Sequence, residues 1–222
     1  NFIYSIQPDM VRKINPLLKK RKLKVIYNSV DFGYWKHNEC REIFRDGKCN
    51  IVIAASHEDR KNAVGMIEAL NSLDENYLNS LNIDWYGRFD KAYQESVELV
   101  NKYGLGNVVT FYPATSNIKE KMESADFIGL FSLYEGLPNV ICEALSLGKP
   151  VITSAVSDLP IILKNTNNIL FDPTDSSSIK KAFEDLFTLN KEEIRSIGNE
   201  NIQLAREYFD VQKSINLYLQ LL

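Results

Sequence analysis

Histidine and cysteine are scarce in this sequence, with two and three residues among 222. Cys40, Cys49 and Cys142 are odd in number and show no CxxC spacing. That argues against a disulfide framework and for reduced thiols, as in a cytosolic protein. Only His37 and His57 could join them, and no ligand spacing repeats, so a metal site has little support. A basic excess is also missing: 26 Lys and Arg stand against 29 Asp and Glu, a formal charge of -3. No global field therefore points to nucleic acid. No run approaches the roughly 18 to 20 apolar residues of a membrane span. The first residues, Asn1 to Tyr4, have neither an initiator Met nor the basic-then-apolar pattern of a secretion signal. They read as a continuation from a longer protein. Repeats and low-complexity linkers are absent too.

What is present is an ordinary globular composition, 45% apolar and 25% charged. Disordered and fibrous classes do not look like this. The length suits one large α/β domain. A helix is expected from Asp9 to about Lys20. Around it, Arg12, Lys13, Lys19, Lys20, Arg21, Lys22 and Lys24 form a basic run. A solvated helix end and peripheral contact with an anionic membrane surface or an acidic partner are both open readings of that run.

Short β-rich runs then alternate with helical ones. The strand candidates are 24–27, 50–55, 83–86, 108–111, 127–131, 150–153 and 169–171. The helical candidates between them are 61–73, 92–103, 118–124, 140–147 and 157–163. Three more helices, over 178–189, 192–207 and 211–222, close the chain. Most strand candidates are continuously apolar, as in strands covered on both faces. The helix over 61–73 carries an apolar stripe of Ala63, Met66, Ile67 and Leu70. Such alternation predicts an α/β fold with a doubly wound, Rossmann-like parallel sheet. Ligands of such sheets bind outside the carboxyl ends of the strands.

The most informative loop follows the strand ending at Phe131: Ser132-Leu133-Tyr134-Glu135-Gly136-Leu137-Pro138-Asn139-Val140-Ile141-Cys142-Glu143-Ala144. Asn139 is a candidate N-cap, and Gly136 permits close backbone approach to a ligand. Free N–H groups at a helix start favour a diphosphate. A carboxylate on each side suits a polyhydroxylated ligand, since it accepts several hydrogen bonds. Spacing alone equally allows a loop charge at Glu135 and a dipole-favouring residue at Glu143. Cys142 reads as a packed residue, because no base stands beside it in sequence.

In this context Glu135-Gly136-x-Pro138-x4-Glu143-Ala144-x3-Gly148-x-Pro150-Val151 resembles the E-x7-E signature of the retaining GT-B glycosyltransferases numbered family 4. The resemblance covers most of the chain. Asn28-Ser29-Val30-Asp31 is similar to the family's N-G-V-D turn. Lys61-Asn62 and the following helix resemble its K-G-x-x-x-L-I-x-A segment. Ser124-Ala125-Asp126 resembles the element before the signature loop, and Tyr208-Phe209 with the last helix resembles its usual close.

The resemblance implies one half of a GT-B architecture. Residues 1–23 would connect from an acceptor domain, 24–207 would bind the donor, and 208–222 would pack toward the partner domain. It implies that Glu143 binds ribose hydroxyls. Glu135, with the backbone of Gly136, Leu137, Pro138, Asn139 and Val140, would hold the sugar and diphosphate, and Lys61 would neutralise the phosphates. Tyr112, Pro113 and Ala114 would contact the base, with Ser56 and Arg88 also on the donor. No metal is implied, because basic side chains and a helix N-terminus take that role. A UDP-sugar is the favoured donor and a glycan or lipid-linked molecule the acceptor. The implied location is the cytoplasm, at the inner membrane surface where the acceptor requires it.

Two positions depart from the family. Its usual Arg six residues before the Lys is missing, with Ala55 and Ser56 in that region, so Arg60 or Arg88 would have to substitute. Pro113 stands where Gly is common. Other readings are a related epimerase or phosphorylase, a non-catalytic nucleotide-binding or partner-recruiting module, and a dinucleotide-dependent oxidoreductase. The last lacks a GxGxxG after its first strand. His57, Ser154 and Ser157 are further candidates to line the site, while Trp35 and Trp85 read as core or interface aromatics.

Overall fold

A computed structural model of the chain describes residues 2–4, 23–36, 43–44 and 47–220. The expected helix at 9–20, most of the basic run, His37 and Cys40 lie outside them. Strands β1 (Phe2–Tyr4) and β2 (Leu23–Val25) pair in parallel as a small sheet of their own. The expected strand at 24–27 therefore does not join the main sheet.

The main sheet is formed by β3 (Cys49–Ala54), β4 (Leu81–Tyr86), β5 (Val109–Tyr112), β6 (Phe127–Leu130), β7 (Val151–Ser154) and β8 (Ile169–Phe171). Its order is β5-β4-β3-β6-β7-β8, and every pair is parallel. The order reverses between β3 and β6, which places the ligand-binding crevice over their carboxyl ends. The doubly wound expectation holds.

The apolar runs reflect a sheet packed on both faces. Ile51, Ile53, Ile83, Trp85 and Phe127 point to one side, onto α1 (Ala63–Asn71), α3 (Tyr93–Lys102) and α7 (Ser176–Leu186). Val52, Tyr86, Ile128, Leu130 and Val151 point to the other, onto α4 (Ile118–Ser124), α5 (Asn139–Ser146) and α6 (Leu159–Ile162). Period-two alternation thus gives each strand two buried faces. Each fully buried Ile, Leu or Phe side chain contributes about 1.5–3 kcal/mol.

The short α2 (Glu75–Asn79) was not expected from the sequence. Helix α8 (Lys191–Tyr208) starts with a capping box, Asn190 with Glu193. Asp175 caps α7, and Asp210 caps α9 (Val211–Leu219). Helix α6 is shorter than the expected 157–163, because Ser157 has φ 54° and cannot be a right-handed helical residue.

Candidate functional site

The loop after β3 is fixed from below by the loop after β4. Ala55 N–H donates to the Tyr86 carbonyl at 3.0 Å, and His57 N–H to that of Arg88 at 2.9 Å. The Trp85 indole N–H donates to the Ala55 carbonyl at 2.8 Å. Only glycine fits at 87, since a Cβ there would lie 1.8 Å from the Ala55 oxygen. A short 3-10 turn, Asp59–Lys61, then leads into α1 through Asn62, which is left-handed at φ 59°. Asn tolerates that region better than most residues, so it serves where the family has Gly. Its amide donates to the Pro173 carbonyl at 3.0 Å.

This turn aims two cations at the signature loop. Glu135 Oε1 accepts from the Lys61 ammonium and, at 2.7 Å, from the Ser132 hydroxyl. Glu135 Oε2 pairs with Arg60 at 3.1 Å. The Lys61 and Glu135 side chains are only 13% and 10% exposed, so the pair stands in a low-dielectric setting. The backbone supports it, with Leu133 N–H donating to the Arg60 carbonyl at 2.8 Å. Glu58 holds Arg60 from the other side at 2.7 Å and accepts from the Ser56 hydroxyl at 2.7 Å. The Ser56 and Arg60 hydrogen bonds keep the Glu58 carboxyl below its ordinary pKa. Arg88 is 71% exposed and pairs with Asp90 at 2.7 Å.

Asn139 is not the N-cap of α5. Pro138 takes that place in extended geometry, with φ -75° and ψ 116°. Asn139 is the first helical residue, and its side-chain oxygen accepts from the Asn28 amide at 3.0 Å. Among the described residues no side chain caps this helix; Ile141 N–H donates to the Pro138 carbonyl at 3.1 Å, which leaves the Asn139 and Val140 N–H groups for an anion.

Glu143 lies one turn further along α5 and lines a cavity of about 390 Å³ with Asn28, Ser29, Asp31, Trp35 and Asn139. Among the described residues its carboxylate has no hydrogen-bonding or ionic partner, and burial raises its pKa. Segment 28–35 was a missed part of the site: the resemblance marked its turn without assigning it a ligand, and Trp35 was read as packing. Its carbon skeleton is held by Val30 N–H, which donates to the Phe209 carbonyl at 3.0 Å.

The other expected residues are dispersed. Tyr112 stacks on Tyr86 with ring centroids 4.8 Å apart, and Pro113 and Ala114 follow it on the exposed edge. A Cβ added at Gly136 would meet nothing within 4 Å, and Leu137 packs into the core. Ser154 is not a lining residue, since it is fully buried and donates to the Leu130 carbonyl at 3.1 Å. Trp85 is core as expected. Cys142 is buried and its thiol is pushed up to about 12, mainly by burial, so it is packed and not nucleophilic.

His57 is fully buried among Trp85, Phe89, Tyr93 and Phe111. Among the described residues neither ring nitrogen has a partner, and burial lowers its pKa from 6.5 to about 4. It supports the loop from beneath and does not face the crevice ion cluster as a base. No group of three or more His, Cys, Asp or Glu side chains among the described residues is placed to hold a metal. No helix among them is long and apolar enough to cross a membrane.

Comparison with known proteins agrees with this fold. The chain is 27% identical over 160 residues to the lipopolysaccharide glucosyltransferase WaaG of Escherichia coli K12, covering 71% of this chain and 41% of that protein. It is 34% identical over 143 residues to the uncharacterized glycosyltransferase MJ1059 of Methanocaldococcus jannaschii, covering 61% and 34%. It thus spans less than half the length of these relatives. Among solved structures, a glycosyltransferase from Rickettsia africae superposes with a TM-score of 0.85 at 14% identity, over 99% of this chain and 62% of that one. Anabaena Alr3699/HepE, solved with UDP and glucose, gives 0.80 at 20% identity, over 99% and 63%. The fold is that of one half of a GT-B glycosyltransferase. Residues 37–203 match the family described as glycosyl transferases group 1, and the chain belongs to that family.

Proposed function

We propose that this chain is the donor-binding half of a retaining hexosyltransferase, taking a nucleoside-diphosphate sugar, with UDP favoured. The observation that carries the reading is the placement of Glu135 and Glu143 at either side of the uncapped start of α5, with Lys61 beside the first. The diphosphate sits at the helix start and on Lys61, with Ser56 and Arg88 at the rim. Glu143 takes the ribose hydroxyls. Glu135 and the backbone of 136–140 hold the sugar, and the strand edge at 112–114 meets the base. In transfer, the bond from the sugar anomeric carbon to the β-phosphate oxygen breaks. The acceptor oxygen bonds to that carbon on the same face, and its proton passes to the departing phosphate.

The relatives that this chain matches are much longer. The acceptor, a glycan or lipid-linked molecule, is bound by a second domain reached through residues 1–23. The tail at 208–222 packs toward it: α9 exposes Val211, Ile215, Tyr218 and Leu219 along one side. Action at the inner membrane surface, with residues 12–24 on anionic lipid, fits the same reading. The 222-residue chain alone then binds donor and transfers sugar poorly.

The test is calorimetric titration of the chain with UDP, GDP, ADP and NAD, beside Glu143→Ala. Saturable binding of one nucleoside diphosphate, weakened in the variant, is expected and names the base. Binding of none would leave a non-catalytic module of the same fold as the better reading.

A further inference from the structure

The side of the crevice opposite Glu143 contains more charge than one lysine can explain. Arg60 and Lys61 are consecutive and diverge around the 3-10 turn, yet both long side chains reach Glu135, one at each carboxylate oxygen. They grip different oxygens of one carboxylate, as two cations grip the oxygens of a bridging phosphate. The guanidinium is oriented from behind by Glu58, itself fixed by Ser56. A planar guanidinium held in this way is suited to oxyanions. Arg88 is the weaker candidate for the same task, since it is largely exposed and engaged with Asp90.

We propose that Arg60 is the second diphosphate-binding cation of this chain, and that Glu135 occupies the place of the diphosphate while the donor is absent. The inference rests on the donor-binding reading above and goes beyond it. Binding is then an exchange. The diphosphate takes Lys61 and Arg60, and the released Glu135 carboxylate turns to the hydroxyls of the incoming sugar. Glu58 remains on Arg60 through the exchange and prevents the guanidinium from following Glu135. The exchange has a consequence for affinity. A ligand with a diphosphate but no sugar displaces Glu135 without giving it a new partner, so a free nucleoside diphosphate binds more weakly than the cation count suggests.

The test uses titration calorimetry on the whole chain with UDP, GDP, ADP and inorganic pyrophosphate. The variants are Arg60→Met, Arg88→Met, Glu135→Gln and Glu143→Ala, each first shown by circular dichroism to be folded. Arg60→Met is expected to weaken both the bound nucleotide and pyrophosphate by about tenfold or more, the loss of one charge-assisted contact. Arg88→Met should weaken either by less than Arg60→Met does, since Arg88 is largely exposed and its charge is screened by solvent. Glu135→Gln should tighten pyrophosphate, because the resident competitor is neutralised. Glu143→Ala should weaken the nucleotide alone. Unchanged nucleotide binding in Arg60→Met, with Glu143→Ala still weakening it, would overturn this inference and leave the donor-binding reading intact. Looser pyrophosphate binding in Glu135→Gln would overturn the exchange. Arg60-dependent pyrophosphate binding with no nucleotide bound would keep the ion cluster and sink the donor-binding reading. No binding of any probe would overturn both.

Discussion

Glu135 and Glu143 share one strand–loop–helix unit but are stabilised in opposite ways. Glu135 is surrounded by partners: Lys61, Arg60 and the Ser132 hydroxyl. Glu143 is half-buried against a cavity, without a partner among the described residues, and its pKa is raised by burial. The first region is neutralised within the chain and must give something up to bind. The second holds its acceptor capacity in reserve. Their difference teaches that one loop–helix unit can neutralise one carboxylate within the chain and leave another half-buried with its acceptor capacity unused.

The most direct way to break the contrast is Glu135→Ala. It leaves Lys61, 13% exposed, and Arg60 without their common counterion. Removing one partner of a mostly buried pair costs about 3 kcal/mol or more. Urea unfolding should show that loss, and an unchanged midpoint would mean that the ion cluster is solvated and contributes nothing. Glu143→Ala should show no comparable loss.

His57 extends the second behaviour to a base. It too is buried without a hydrogen-bonding partner among the described residues, and its folded pKa of about 4 lies below the ordinary 6.5. The unfolded chain therefore takes up a proton near pH 6.5 that the folded chain refuses until about pH 4. The stability this neutral imidazole contributes is complete above 6.5 and is lost as pH falls to about 4, by roughly 3 kcal/mol at most. Unfolding midpoints of wild type and His57→Phe across that range should diverge, the variant being the less pH-sensitive. Parallel curves would show that water already reaches the ring.

The third effect is on the ligand. Glu143→Ala should weaken nucleoside diphosphate binding about tenfold, one charge-assisted contact, with unfolding nearly unchanged. Equal affinity in the variant would remove Glu143 from the site and leave the cavity as packing space.

How much of this was legible varies with sequence distance. The signature unit was readable because its strand, loop and helix are contiguous, and burial on both faces leaves short apolar runs at 51–54 in β3 and 127–130 in β6. The resemblance assigned Lys61 and Glu135 to one donor, but their direct pairing across 74 residues was not legible, since periodicity cannot say which side chains of two loops meet. Arg60 was legible only as an alternative to Arg88, because nothing in the sequence says which of the two guanidinium groups reaches Glu135. The cap was misplaced by one residue: Pro138, with its φ fixed, already has the extended geometry a cap needs, which frees Asn139 for Asn28. Segment 28–35 lines the cavity without regular structure, so no pattern announced it. Ser157 adopts a left-handed conformation that a serine gives no reason to expect.

The smallest effect separates fold from function most cleanly. Burial raises the Glu143 pKa, so the folded chain binds its proton more tightly than the unfolded chain does. Ionisation at neutral pH therefore works against folding, and the penalty fades as pH falls through the raised value. Glu143→Gln keeps the shape and removes the charge. It should stabilise the chain at neutral pH by up to about 1 kcal/mol, a rise of about 2–4 °C in Tm for a domain of this size. The gain should shrink toward pH 4, where the native glutamate is protonated as well. The same variant should still bind nucleotide more weakly, because an amide accepts from ribose hydroxyls less strongly than a carboxylate. A lower Tm at neutral pH would show that Glu143 has a stabilising role in the empty fold, and the two regions would then differ in degree and not in kind.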